Sequence, residues 1–138
     1  MRMNGRNTQL MLLAAFVVTL GIASRVFHSG FRLIDNYLGD ALYAALFYLL
    51  LCLIWKKGAP GVKALLSAAG VIGIEVFQLT NIPLSLHASS NLLFKALAIV
   101  LGTTFAWPDI AAYLAGIGTV YLLDRFYFIE LYGVAHKK

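Results

Sequence analysis

Glu75 and Gln78 stand three residues apart inside "GVIGIEVFQLTNIPL", Gly70 to Leu84, a stretch otherwise almost entirely apolar. On a helix, residues three or four apart share a face, so this carboxylate and this carboxamide point the same way. Asp109 and Tyr113, four apart, share a face in the same sense, and Asp40 shares one with Tyr37 and Tyr43. Grouped carboxylates can supply an acid and a base, or grip a ligand. A charge in such company needs compensation or a purpose.

Stronger chemical signatures are missing. The chain has no GxSxG, no HExxH, no Cys–His pairing and no Gly-rich phosphate loop followed by Lys-Ser/Thr. Catalytic residues are therefore not assigned, and no cofactor is expected. His28 and His87 fall in loops and could join the carboxylates around a metal, but isolated loop histidines are commonplace and no metal site is expected. Cys52, the only cysteine, lies within "FYLLLCLIW" and reads as a buried, inert thiol.

Composition identifies the solvent in which these residues work. Of 138 residues, 61% are hydrophobic and 12% charged, with mean hydropathy +0.82. Soluble domains are roughly half apolar and a quarter charged. A chain this short lacks the volume to hide so much apolar surface in one core. Much of it must face lipid. The net charge is +5, yet the basic residues are scattered in ones and twos beside apolar segments, which argues against nucleic acid as a partner.

The elements that must position the polar residues are helices. The expectation is an all-α, polytopic transmembrane bundle occupying residues 1–138 as a single domain. Its spans fall at about 9–27, 38–55, 62–80 and 109–128, with a short re-entrant or interfacial helix at about 91–102. "KKGAPG" is a loop, "TNIPLSLHASSN" breaks the third span, and Pro108 suits the first turn of the last. A cleaved signal peptide is a weaker reading of the first segment. Four crossings put both termini in the cytoplasm and satisfy the positive-inside rule; a full crossing by the short helix would violate it. The tail "DRFYFIELYGVAHKK" reads as an interfacial anchor through Phe126, Tyr127 and Tyr132.

With that topology, Arg25, Asp40, Glu75, Gln78, Lys95, Asp109 and Tyr113 fall in one layer near the outer leaflet. Three carboxylates then face two cations, Arg25 and Lys95, which are expected to compensate Glu75. The same arrangement could serve only to fix helix register.

The residues resemble a known family. "GIASR", "YLGDALYA", "EVFQL" and "LGTTFAWPDIAAYLAG" occur in this order in the small bacterial membrane family called domain of unknown function 2809, which is distantly similar to VanZ, a membrane protein associated with glycopeptide resistance. The resemblance runs from Gly21 to Gly116 and carries over onto Arg25, Gly39, Asp40, Glu75, Gln78, Gly102, Asp109 and Tyr113. It departs at Lys95, where related sequences tend to have arginine; lysine keeps the charge but loses the bidentate fork. What the resemblance implies is a fold and a site rather than an activity.

The function expected is that of a bacterial inner-membrane protein whose buried polar site recognises a lipid-linked or anionic envelope ligand, with membrane lipid around it. The alternatives are a non-catalytic accessory or assembly subunit of a membrane complex, or a small proton-coupled transporter. Four crossings enclose little volume, so transport would need a homo-oligomer or a membrane partner.

Overall fold

The computed structural model describes residues 5–27 and 29–128. They form six α-helices and one π-helical segment: α1 (Gly5–Val26), α2 (Arg32–Ile54), α3 (Pro60–Gln78), α4 (Ile82–Ala88), α5 (Leu92–Leu101), α6 (Trp107–Leu122) and the π segment Leu123–Phe128. The all-α expectation holds. Helices α1, α2 and α3 contain stretches long and apolar enough to cross a membrane. At 1.5 Å per residue, the 23 residues of α2 extend roughly 35 Å, against about 30 Å of hydrocarbon.

Local signals account for the helix limits. Asp35, in the first turn of α2, accepts from the Ser29 amide and hydroxyl at 2.7 and 2.8 Å and from the Gly30 amide at 3.1 Å, which ties the α1–α2 turn to the start of α2. Pro60 opens α3, where its missing N–H costs nothing. Asn91 caps α5 by accepting from the Leu93 amide at 2.9 Å. Pro108 lies in the first turn of α6.

One element departs from expectation. The segment "TNIPLSLHASSN" is not simply a break: it carries the seven-residue helix α4. Asn81 takes φ 60°, turning the chain out of α3, and Pro83 then starts the new helix. The missed signal is proline at a helix start rather than at a stop.

The core lies where α2 packs against α1 and α6, around Leu10, Val17, Ala44, Tyr48, Val71 and Ile117. Gly116 makes the closest approach. A Cβ there would sit 1.9 Å from the Ala41 carbonyl oxygen, so only glycine lets α6 lie this tightly on α2. Outside this seam the helices are apolar and uncovered: only 17%, 28% and 22% of the spanning stretches of α1, α2 and α3 are buried. Such extensive exposed apolar surface is not sustained in water. At one end of the bundle gather the start of α1, the end of α2, the start of α3 and the end of α6; at the other, the α1–α2 turn, α4, α5 and the start of α6.

Candidate functional site

At that second end a pocket of about 160 Å³ lies between α2, α3, α5 and α6. Its walls carry Asp40 and Tyr43 from α2, Glu75 and Gln78 from α3, and Asp109 and Tyr113 from α6. The strand of chain joining α5 to α6 closes one side through Gly102, Thr103 and Thr104. Five of the seven residues singled out from the sequence therefore meet here: Asp40, Glu75, Gln78, Asp109 and Tyr113.

Helical periodicity is what brings them together. The inward face of α3 is Lys63, Ser67, Val71, Glu75 and Gln78, a repeat of four, four, four and three. The inward face of α6 includes Ala112, Tyr113, Gly116, Ile117 and Val120. Glu75 and Tyr113 therefore face each other across the α3–α6 contact, and the Tyr113 hydroxyl donates to Glu75 Oε1 at 2.5 Å.

Glu75 is fully buried, and its other oxygen, Oε2, has no hydrogen-bond partner. Gln78, 6% exposed, donates through Nε2 to the Leu101 carbonyl at 2.7 Å. That bond fixes the amide's orientation, because a carbonyl accepts only from the NH₂ side, and it leaves Gln78 Oε1 buried without a donor. Gly102 makes the arrangement possible. Its φ of 75° belongs to glycine, and a Cβ there would lie 2.7 Å from Gln78 Nε2. The pocket thus presents two buried acceptors lacking donors. None of the described residues lining it is basic.

The expected cations fare differently. Lys95 is exposed on α5 and does not line the pocket. No ion pair joins it to Glu75, whose described partner is Tyr113. Helix α5 buries only Ala98, and Lys95, one turn before it on the same side, stays exposed. Arg25 is in the last turn of α1, but its side chain lies outside what the structure describes. His87 is exposed in α4, away from the pocket, and His28 falls outside the described residues. Among the described residues, no three His, Cys, Asp or Glu side chains are grouped so as to hold a metal ion.

A second polar cluster, at the opposite end, was not anticipated. Asp124, the first residue of the expected interfacial tail, is fully buried and ion-paired to Arg6 at 2.9 Å. Tyr48 donates to it at 2.8 Å. The signal was present in the sequence: Tyr113, Ile117, Val120 and Asp124 are spaced four, three and four, so the inward stripe of α6 runs into the π segment. Of the tail's anchor residues, Phe126 is exposed, the side chain of Tyr127 is not described and Tyr132 falls outside the described residues.

The family model described as protein of unknown function (DUF2809) matches residues 30–117. That match spans α2 to α6 and takes in the pocket from Asp40 to Tyr113. No curated protein and no solved structure matches the chain.

Proposed function

The chain belongs to the DUF2809 family, and we propose that its acceptor-lined pocket recognises the ammonium head group of a membrane lipid. The observation that carries this reading is the pair of buried acceptors, Glu75 Oε2 and Gln78 Oε1, with no donor against them. Buried polar groups without partners are costly, typically about 1–3 kcal/mol each, so a site that keeps two of them is built for something that supplies donors. An N–H-bearing cation does so and also answers the charge of Glu75.

Of the two ligand classes expected from the sequence, the lipid-linked one suits this pocket and the anionic one does not. An anion would bring further acceptors to atoms that already lack donors. Size argues for a head group rather than a large molecule. At about 160 Å³ the pocket has room for roughly five waters, well below the 300–1,000 Å³ typical of drug-sized sites. Ile99 and Val100, on its α5 wall, are 66% and 61% exposed, which gives an apolar rim over which an acyl chain can lie in the bilayer.

Topology fits the same reading. We take α6 and the π segment together, Trp107–Phe128, as a fourth crossing and α5 as an interfacial helix. Arg2, Arg6, Lys56, Lys57 and Lys63 then lie on one side, as the positive-inside rule asks, and the pocket opens toward the outer leaflet of a bacterial inner membrane.

Native mass spectrometry of the protein in mixed micelles tests the proposal. Phosphatidylethanolamine, with its N–H donors, is retained over phosphatidylcholine, a cation without them, and over phosphatidylglycerol. Glu75→Gln loses that preference. Equal retention of all three lipids by the parent protein overturns the reading and moves the accessory-subunit alternative ahead.

A further inference from the structure

Lys63, in the first turn of α3, is fully buried, and its Nζ has no hydrogen-bond partner. Ser67, one turn later on the same face, is fully buried with an unpartnered Oγ. The Asp124 cluster lies at the same end of the bundle. Asp124 Oδ1 accepts from Arg6 Nη2 at 2.9 Å; Oδ2 accepts from the Tyr48 hydroxyl at 2.8 Å and from Cys52 Sγ at 3.6 Å. Lys63 and Asp124 both lie within electrostatic reach of Cys52, near the end of α2. Arg6 Nε is likewise buried without a partner.

The charges do not balance. Asp124 answers Arg6, and both its oxygens are engaged. Lys63 pairs with no carboxylate among the described residues. A lysine at a membrane border ordinarily extends its amine to water, but this one is 0% exposed and does not. The three unpartnered atoms here, Lys63 Nζ, Arg6 Nε and Ser67 Oγ, can all donate. Those at the opposite end of the bundle are oxygens of a carboxyl and a carboxamide, Glu75 Oε2 and Gln78 Oε1.

We propose that Lys63, Ser67 and Arg6 form a binding site for a phosphate oxyanion, separate from the pocket around Glu75. Phosphate supplies charge-bearing acceptors to donors of these types, with lysine as the point charge and arginine and serine as directional donors. The start of α3 adds the positive end of a 19-residue helix beside Lys63. The oxyanion is inorganic phosphate or the phosphodiester of a phospholipid; the chemistry at the protein is the same.

Melting curves distinguish the sources and test the site. In maltoside detergent free of phospholipid, sodium phosphate raises the melting temperature saturably, relative to sodium gluconate at equal ionic strength. Lys63→Met weakens that response about tenfold or more, as expected for loss of a charge-assisted contact. If the phosphodiester is the natural occupant, free phosphate has little effect, but the protein is more stable in phosphatidylglycerol vesicles than in galactolipid vesicles. Lys63→Met removes that difference. Should Lys63→Met fail to fold, Ser67→Ala serves in its place and weakens the response less. The proposal is overturned if phosphate and gluconate curves superimpose and the two vesicle types stabilise equally. It is also overturned if Lys63→Met, or Ser67→Ala in its stead, keeps in full whichever stabilisation the parent shows, by phosphate or by phosphatidylglycerol.

Discussion

The Tyr113 hydroxyl on α6 donates to Glu75 Oε1 on α3 at 2.5 Å, while Glu75 Oε2, equally buried, has no donor. One half of the carboxylate is held by the fold and the other half is presented to the pocket. A side chain serving only to fix helix register would gain by satisfying both oxygens. This half-satisfied glutamate is the centre of the account.

Removing the holding half should be costly and measurable. Tyr113→Phe keeps the ring and leaves both Glu75 oxygens without donors. The expected loss is between about 0.6 kcal/mol, the average for interhelical hydrogen bonds in a membrane, and about 3 kcal/mol for an unsatisfied buried group. Denaturation of the parent and variant in the same detergent measures it. A variant as stable as the parent would mean that the contact contributes nothing to the fold.

The α2–α6 seam makes a sharper steric prediction. Gly116→Ala places a Cβ 1.9 Å from the Ala41 carbonyl oxygen, so a backbone must move, with a cost of at least about 1–3 kcal/mol and loss of monodisperse protein. Gly118→Ala, two residues away, meets nothing within 4 Å and should behave as the parent. Gel filtration and melting temperature of the pair check both halves.

At the other end, Arg6 and Asp124 are predicted to be strongly coupled. Asp124→Asn removes the charge facing Arg6 and, by analogy with broken buried pairs in soluble proteins, should cost about 3–5 kcal/mol. Replacing both residues, as in Arg6→Met with Asp124→Leu, should recover part of that loss, since no charge is then left unpaired. A double-mutant cycle by thermal or chemical denaturation reads the coupling. Strictly additive losses would show that the ion pair does not couple the start of α1 to the end of α6.

Both termini are expected on the cytoplasmic side. Reporter fusions after Lys138 should be active only as cytoplasmic reporters. A periplasmic carboxyl terminus would exclude four crossings and favour three, by α1, α2 and α3.

The half of the site carried by regular helices could be read from the sequence, because periodicity alone places Glu75 with Gln78 and Asp109 with Tyr113. The apolar lengths that define α1, α2 and α3 were equally legible. Lys95 shows where periodicity stops helping: it shares a face with Ala98, the one buried residue of α5, yet is itself exposed. The burial of Lys63 and Asp124 went unread for another reason. Both stand near helix ends, where charges ordinarily reach water, yet each continues an inward stripe, Lys63 through Ser67 and Val71 to Glu75, and Asp124 from Val120 and Ile117. The pocket's character depends on Gln78 reaching Leu101 across the glycine at 102, a tertiary contact that no local pattern encodes.

The most direct measurement of the central claim is calorimetric titration of hexylammonium into the detergent-solubilised protein, with hexanol as the uncharged control. The parent should bind the ammonium, ignore the alcohol, and lose about tenfold or more in affinity on Glu75→Gln, whereas Gly118→Ala should bind as the parent does. Identical titrations for the parent and Glu75→Gln, or heats for the alcohol equal to those for the ammonium, would contradict it.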